Sequence, residues 1–303
     1  MNERFQGKDT IDPDPITQGA RLMSDLTSAA AATAQPGGGM AYRILLKAAA
    51  VVPLPVQRFL RSGPVGDLGR KVLDRVAPAG RYKVLPVQGG LLEGTLLEVD
   101  LRKQRDMVAG IYESEVQGAL AKHLKPGETA FDVGAHLGFF TLLMARLAGD
   151  DGKVVSVEAD PFMGRNLEAN LERNGNANVT VVRAAAGKVA VERRFAPGAG
   201  GGIGHLADDG EIAVAGTTLD LLAERFGVPQ LIKVDVEGGE LEVLAGGARL
   251  LAEHHPILVV EVHDQQIQDD TVELLSGFDY DISFIQDDPS RRQHLIALPT
   301  SRG

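Results

Sequence analysis

One run of residues has the spacing of a ligand-binding turn between a strand and a helix. Residues 131–138 read Phe-Asp-Val-Gly-Ala-His-Leu-Gly and stand between an apolar run and a helical pattern. Gly134 permits a sharp turn and a close approach of a ligand to main-chain atoms, and Gly138 permits the helix to pack on the strand. The helix start offers free N–H groups to an anion. The D-x-G-x-x-x-G spacing departs from a dinucleotide turn and fits a ligand with a carboxylate better than a pyrophosphate.

An acidic residue ends the next predicted strand. Glu158 stands twenty residues beyond Gly138, where a carboxylate can accept both hydroxyls of a ribose. The alternative is a surface carboxylate that caps the helix beginning at Pro161, for which Asp160 is the better candidate. A glycine turn and a ribose-binding acid in one βαβ unit indicate a ligand that contains adenosine.

Carboxylate and imidazole groups follow two later strands. Asp235 and Glu237 end one of them, and Glu261 and His263 end the other. Ligands of open α/β sheets bind beyond the carboxyl ends of the strands, and alternation puts each pair on one face while the strand conformation persists. Neighbouring carboxylates repel, so one of them holds its proton more tightly and can act as a base near neutral pH. The candidate catalytic residues are therefore Asp235, Glu261 and His263.

A metal site and a helix N-terminus are alternative explanations for the acidic residues near these strand ends. A metal site from Asp235, Glu261 and His263 is chemically reasonable, because carboxylates and imidazole suit divalent cations. We favour bases and hydrogen-bond anchors, which acidic clusters at strand ends also provide, and predict no metal. Glu240 is explained by its position at a helix N-terminus, which suits an acid.

The spacing of the apolar runs indicates the elements that must hold these residues. Strand-like runs alternate with helical patterns, which predicts βαβ units, a mostly parallel sheet and an α/β fold. The predicted strands are 129–133, 153–158, 179–183, 231–236, 256–262, 280–285 and 294–298. The predicted helices are 106–124, 138–148, 161–173, 218–226 and 239–253. A glycine-rich stretch at 197–210 is predicted to be mobile and close to the acceptor entrance, and a disordered external loop without a role is an equal alternative.

Composition divides the chain into three regions. Residues 1–40 are polar and end in three glycines, which predicts a disordered tail. The sequence predicts a basic helical segment and a β-hairpin extension at residues 41–105. It predicts the α/β domain at residues 106–303. Between residues 41 and 80, seven Lys and Arg side chains stand against two Asp side chains. This segment offers a surface for peripheral contact with acidic lipid or a partner, although two short helices with solvated charges are the simpler interpretation.

Composition also excludes several classes of protein. The 303 residues contain no cysteine, which excludes disulfides, thiolate zinc sites and cysteine nucleophiles. The apolar stretch at 48–56 is broken by two prolines and is much shorter than the ~20 residues of a transmembrane segment. The Ala-rich stretch at 28–34 lacks the basic start of a signal peptide, so we expect a cytoplasmic protein. The net charge of −10 argues against nucleic acid as a partner.

Residues 112–263 together resemble the FkbM family of S-adenosylmethionine-dependent methyltransferases. The resemblance rests on Tyr112-Glu113, the turn at 132–138, Gly152-Lys153-Val154 leading to Glu158, Asn170, Asn174-Gly175, residues 217–220 and residues 232–240. The last block, Ile-Lys-Val-Asp-Val-Glu-Gly-Gly-Glu, is the most specific. Two positions depart from the family: His136 stands where Asn is usual, and Ala159-Asp160 replaces Pro-Asn or Pro-Asp.

The resemblance implies a Rossmann-like class I methyltransferase fold with a mostly parallel seven-stranded sheet flanked by helices, here with an N-terminal extension. It implies S-adenosyl-L-methionine as the cofactor and O-methylation of a hydroxyl on a sugar, polyketide or related small metabolite, by in-line transfer assisted by a carboxylate or His base. The residues it assigns to the cofactor are Tyr112, Glu113, Asp132, Gly134, Ala135, His136, Gly138, Glu158 and Asp235.

Two other functions stay open at this point. An NAD-linked oxidoreductase would use a related fold, but the glycine spacing disfavours it. A non-catalytic cofactor-binding or scaffold protein, recruited through the basic segment at 41–80, would bind S-adenosylmethionine without turnover.

Overall fold

The computed structural model describes residue 80 and residues 82–198, 202–207, 209–285 and 293–300. The chain divides into two compact units, Met1–Pro78 and Ala79–Gly303, and the described residues belong to the second. The predicted disordered tail at 1–40 and the basic helical segment after it lie outside the described residues.

Strands and helices alternate along the second unit. The strands are β1 (Tyr82–Pro86), β2 (Leu96–Asp100), β3 (Thr129–Val133), β4 (Lys153–Val157), β5 (Val179–Val182), β6 (Ala185–Ala186), β7 (Arg193–Gly198), β8 (Gly202–Leu206), β9 (Ile212–Val214), β10 (Gly216–Thr217), β11 (Leu231–Val234), β12 (Ile257–Val262), β13 (Tyr280–Phe284) and β14 (Gln293–Pro299). The helices are α1 (Arg105–Ala109), α2 (Ser114–His123), α3 (Phe139–Ala148), α4 (Pro161–Asn174), α5 (Leu219–Phe226), α6 (Glu240–Ala245), α7 (Ala248–His254) and α8 (Gln265–Ser276).

Seven of these strands form the central sheet in the order β13-β14-β12-β11-β3-β4-β5. Strands β3, β4, β5, β11 and β12 are parallel, and β14 is antiparallel to both β12 and β13. Every residue of β11 is buried, as expected for a parallel strand that is covered on both faces. The mostly parallel seven-stranded sheet is therefore confirmed. The strand order reverses beside β3, which creates a crevice at the carboxyl ends of β3 and β11.

The helix boundaries follow from local sequence. Helix α4 begins where the Asp160 carboxylate accepts the N–H of Phe162 at 2.7 Å, and it ends at Gly175 with φ 68°. The helix predicted at 239–253 divides into α6 and α7 at Gly246. A Cβ atom at Gly246 would lie 2.1 Å from the carbonyl oxygen of Gly187, so the chain needs glycine here. Helix α8 has no counterpart among the sequence-based predictions.

The predicted hairpin forms and packs on α4. Strands β1 and β2 pair antiparallel, with Tyr82 opposite Asp100. The backbone N–H of Leu96 donates to Asn174 Oδ1 at 2.9 Å, and the N–H of Glu98 donates to Asn170 Oδ1 at 2.8 Å. These side-chain bonds satisfy the outer edge of β2 and attach the hairpin to α4.

Two small sheets lie between β5 and α5 in the chain. One pairs β6 with β10, and the other has the order β8-β7-β9. The described part of the glycine-rich stretch at 197–210 therefore contains strand residues, which the sequence-based interpretation missed. Phe195 is buried at the centre of the second sheet, where a Cβ atom at Gly204 would lie 2.3 Å from its ring. Glycine at this position gives the ring its space.

None of the helices among the described residues has both the length and the apolar composition that a membrane crossing requires.

Candidate active site

A cavity of about 730 Å³ opens at the carboxyl ends of the parallel strands, beside the reversal of strand order. Its volume is in the range of small-molecule and cofactor sites. Nine of the predicted site residues line it: Tyr112, Glu113, Asp132, Gly134, Ala135, His136, Glu158, Asp235 and Glu261. Gly138 and His263 are not part of the lining.

The glycine turn after β3 is held by neighbouring backbone. The N–H groups of Gly134 and Ala135 both donate to the carbonyl oxygen of Val157, at 2.9 and 3.0 Å. A Cβ atom at Gly134 would lie 1.7 Å from the carbonyl oxygen of Asp235, so the close approach predicted for a ligand is made instead by the chain after β11. Gly138, at φ 93°, makes room for the side chain of Leu167 on α4 rather than for a strand.

Glu158 connects this turn to the loop after β4. Its Oε2 accepts the N–H of His136 at 2.6 Å, and its Oε1 accepts the N–H of Asp160 at 2.7 Å. The side chain is 9% exposed, and burial raises the pKa of its carboxyl to about 7. Asp160 caps α4, so the alternative capping role belongs to that residue, as predicted. Glu158 keeps a second lone pair on each oxygen for ligand hydroxyls.

His136 occupies the turn in a left-handed conformation with φ 52° and lines the cavity. Such a backbone is uncommon for a residue other than glycine, although Asn, Asp and His tolerate it best. Burial lowers the pKa of the imidazole below its usual value, so the ring is neutral at neutral pH. The departure from the family's usual Asn therefore adds an uncharged imidazole to the wall of the cavity.

A buried lysine balances the acidic strand ends. Lys233 on β11 is 1% exposed, and its Nζ donates to Asp235 Oδ2 at 2.8 Å and lies 4.7 Å from the centre of the Phe140 ring. Asp132 is its register partner on β3 and accepts the hydroxyl of Thr141 at 2.6 Å. Burial alone would lower the pKa of Lys233, but the carboxylates of Asp235 and Asp132 raise it above its usual value. Lys233 is therefore a buried cation.

Asp235 and Glu261 form a hydrogen-bonded carboxyl pair that differs in protonation. Burial and the hydrogen bond with Asp235 raise the pKa of Glu261 to about 9. Burial opposes ionisation of Asp235 as well, but the charge of Lys233 and the hydrogen bond from Glu261 hold its pKa below its usual range. At neutral pH the pair therefore consists of an ionised Asp235 and a protonated Glu261.

The chain after β11 turns instead of continuing as a strand. The predicted strand reached residue 236 and put Asp235 and Glu237 on one face, but β11 ends one residue before Asp235. Glu237 has φ 57° and Gly238 has φ 103°, and these values end the alternation of a strand. The fully buried Glu240 closes the turn, since its Oε1 accepts the N–H of Gly238 at 3.0 Å.

His263 lies between two carboxylates of this turn. Its Nε2 is 3.0 Å from Glu237 Oε2, and its Nδ1 is 3.1 Å from Glu240 Oε1. Hydrogen bonding to these two groups raises the pKa of His263 to about 10, so the ring is an imidazolium at neutral pH. The ring therefore connects the turn after β11 to the end of β12.

Tyr112 and Glu113 reach the cavity from the turn before α2. The Tyr112 ring packs edge-on against Phe139, with ring centres 5.6 Å apart. Glu113 has φ 43°, and its Oε2 lies 3.2 Å from Nε2 of His294 on β14. Burial opposes ionisation of Glu113, but the contact with His294 and the charge of Lys233 lower its pKa.

Sequence reasoning missed three residues in or next to this cavity. The sequence does contain an indication of Lys233, since it is a charged residue inside an otherwise apolar predicted strand. His294 is at the start of the predicted last strand, and its partner Glu113 is far away in sequence, so no local pattern joins them. Phe195 lines the cavity together with Gly204, His205 and Leu206 of β8. The glycine-rich stretch thus borders the cavity, while its mobility and its position at the acceptor entrance stay predictions.

The comparisons with known proteins agree on methyl transfer. The hexuronic acid methyltransferase AglP of Haloferax volcanii is 27% identical over 169 residues, which cover 54% of this chain and 68% of that protein. The protein-L-isoaspartate O-methyltransferase of Methanococcoides burtonii is 45% identical over 56 residues, 18% of this chain and 28% of that protein. The ribosomal protein L11 methyltransferase of Pelotomaculum thermopropionicum is 43% identical over 58 residues, 19% of this chain and 18% of that protein. The last two matches thus span less than a third of those proteins.

The family assignment rests on the domain that contains the cavity. A solved FkbM methyltransferase from Methylobacillus flagellatus aligns with a TM-score of 0.46 and 19% identity, over 66% of this chain and 56% of that one. Residues 132–282 match the family model described as the methyltransferase FkbM domain. That match includes the glycine turn, Glu158 and the block around Asp235. The chain therefore belongs to the FkbM family of S-adenosylmethionine-dependent methyltransferases, as its motifs predicted.

Proposed function

We propose that this protein transfers the methyl group of S-adenosylmethionine to a hydroxyl of a sugar or related small metabolite. The observation that carries the proposal is a single cavity that Glu158, Asp235 and Glu261 share. A transfer between two bound molecules requires a cofactor subsite and an acceptor subsite that open onto each other. The 27% identity with a hexuronic acid methyltransferase over 68% of that protein supports a sugar as the acceptor.

The residues around Glu158 fit the adenosine part of the cofactor. Each Glu158 oxygen accepts one backbone N–H and has a lone pair left for a ribose hydroxyl. Ala184, Ala185 and Phe195 supply apolar surface in the same cavity for a flat base. When bound, the cofactor supplies an electrophilic methyl group on a positively charged sulfur. Seven carboxyl side chains and two lysines are among the described lining residues, and this excess of acid complements a cationic ligand.

Asp235, Glu261 and His263 have separate proposed roles at the acceptor end. Asp235, ionised beside Lys233, accepts the hydrogen bond of the acceptor hydroxyl, and it takes the proton once the new methyl–oxygen bond has made that proton strongly acidic. Glu261 orients Asp235 through the hydrogen bond that joins them. His263 positions the turn that begins at Asp235, because it contacts Glu237 and Glu240. Holding the acceptor oxygen in line with the methyl group removes an entropic part of the barrier.

The partner in this proposal is a small molecule rather than nucleic acid. An acidic lining repels a phosphate backbone, which Lys and Arg clusters normally bind. A cytoplasmic site of action stays part of the proposal and is supported by a sequence without cysteine.

Two measurements on one preparation test the proposed function. Calorimetric titration should show binding of S-adenosylhomocysteine and no binding of NAD. Mass spectrometry of reactions with a panel of hexoses, hexuronic acids and non-sugar alcohols should show a methyl group added to a sugar. NAD binding without S-adenosylhomocysteine binding would indicate an oxidoreductase. S-adenosylhomocysteine binding without a product from any acceptor would favour the scaffold function.

A further inference from the structure

We propose that Glu113, Glu261 and His294 bind a divalent transition-metal ion, such as Mn²⁺ or Zn²⁺, at the edge of the cavity. The three residues come from the turn before α2, the end of β12 and the start of β14. One oxygen or nitrogen atom from each side chain lies within 4.8 Å of the other two. Segments that are distant in sequence thus converge on one point.

The strand register brings two of the three ligands together. Glu261 on β12 is directly opposite His294 on the antiparallel strand β14. Side chains directly opposite each other in such a pair project from the same face of the sheet. Glu113 approaches them from outside the sheet, from a turn in which its own backbone has φ 43°.

The buried histidine points to a missing ligand. His294 is 2% exposed, and in the described part of the chain neither of its ring nitrogens makes a hydrogen bond. Oε2 of Glu113 is also buried without a hydrogen bond, although it lies only 3.2 Å from His294 Nε2. Two ligand atoms at metal-bond lengths of ~2.1 Å from one ion are about 3 Å apart. An ion between these atoms would satisfy both of them.

A second group of potential ligands is less suitable. Asp235, Glu237 and His263 also lie close enough to hold an ion. However, the ring of His263 has a carboxylate oxygen at each nitrogen, 3.0 Å away at Nε2 and 3.1 Å away at Nδ1. Among the described residues, the ring of His294 has a carboxylate oxygen close to Nε2, that of Glu113, and none close to Nδ1. The His294 group is therefore the better metal site.

The ligand types indicate the class of ion and its effect. A bound ion displaces the proton of Glu261, so the ligands are then one imidazole and two carboxylates. This set suits a first-row transition ion better than Mg²⁺, which prefers oxygen ligands and water. Glu113 and Glu261 line the cavity, so open coordination positions would face the acceptor. A bound ion lowers the pKa of a coordinated hydroxyl, as it does for bound water. The site rests on the residues alone, whereas this effect on the acceptor rests on the proposed function.

Electron paramagnetic resonance of added MnCl₂ tests the site on the full chain after dialysis against a chelator. We expect about one bound Mn²⁺ per chain, displaced by Zn²⁺. His294→Gln and Glu113→Gln should each weaken Mn²⁺ binding by roughly tenfold or more. His254→Gln and Glu253→Gln change an exposed His–Glu pair on α7 and are the matched controls, which should bind Mn²⁺ like the wild type.

Thermal melting without the ion shows whether each variant folds. If His294→Gln does not fold, Glu113→Gln replaces it in the test, because Glu113 lies in a turn and its substitution disturbs the sheet less. Mn²⁺ should raise the melting temperature of the wild type and not that of the variants. Absence of binding at about 1 mM Mn²⁺ and Zn²⁺, or binding that neither variant weakens, would overturn the site. A separate S-adenosylhomocysteine titration without metal tests the proposed function, so the two failures can be told apart.

Discussion

The Glu158 end and the Asp235 end of the cavity hold their buried carboxylates by different means. Glu158 accepts two backbone N–H groups from adjacent turns. Asp235 depends on two side chains, the ammonium of Lys233 and the carboxyl of Glu261. Backbone donors are present whatever side chains the turns carry, whereas a side-chain cluster fails when one member is lost. Substitutions should therefore change ligand affinity at the first end and both folding and chemistry at the second.

Removal of the buried lysine should have the largest effect. Lys233→Met keeps an unbranched side chain but leaves Asp132 and Asp235 buried without their cation. We expect the free energy of unfolding to fall by about 3–5 kcal/mol, because an unpaired buried charge is costly. Urea denaturation monitored by circular dichroism measures this loss, with the exposed Lys153→Met as the matched control. A loss below about 1 kcal/mol would mean that the cluster does not depend on its cation.

Substitution of Asp235 should separate chemistry from cofactor binding. Asp235→Asn keeps the shape of the side chain but removes the basic oxygen, so turnover should fall by roughly 10²-fold or more. Affinity for S-adenosylhomocysteine should change little, because the ribose-binding oxygens belong to Glu158. Product mass spectrometry and calorimetry on one preparation measure both quantities, with the exposed Asp151→Asn as the control. Unchanged turnover in a folded variant would remove Asp235 from the mechanism.

The Glu158 end could be predicted from sequence because its parts are local. The glycine turn, Glu158 and the Asp160 cap lie within one βαβ unit, so their spacing along the chain determines their spacing in space. The parallel sheet was predictable for the same reason, since alternating strands and helices leave few arrangements. The function of Gly134 was less clear, because the group that approaches it is Asp235, which is distant in sequence.

The Asp235 end could be predicted only in part, because its contacts cross many elements. Strand alternation indicated Asp235 and Glu261, but the left-handed residues Glu237 and Gly238 end the strand early and turn toward His263. Periodicity describes regular structure and contains no information on where a turn will reverse the chain. The contact of His294 with Glu113 depends on the register of the last strand, which sequence spacing alone does not specify.

The pH dependence of cofactor binding should reveal the Glu158 end with a smaller effect. Burial raises the pKa of Glu158 to about 7, and repulsion from Asp160 and Asp132 adds to this. The ionised carboxylate has more lone pairs for the two ribose hydroxyls than the protonated form. Affinity for S-adenosylhomocysteine should therefore increase as the pH rises through 7. At one pH unit below the pKa it should be about tenfold weaker, which calorimetry between pH 6 and 8 would measure.

Glu158→Gln sharpens this prediction because an amide resembles the protonated acid at every pH. At pH 8 the variant should bind S-adenosylhomocysteine about 1–3 kcal/mol more weakly than the wild type. Near pH 6, where the wild-type carboxyl is itself mostly protonated, the two affinities should converge. Glu168→Gln, an exposed acid on the same helix as the Asp160 cap, should retain the wild-type pH dependence. A pH dependence that survives Glu158→Gln would belong to another group, and the ribose assignment would then lose its electrostatic support.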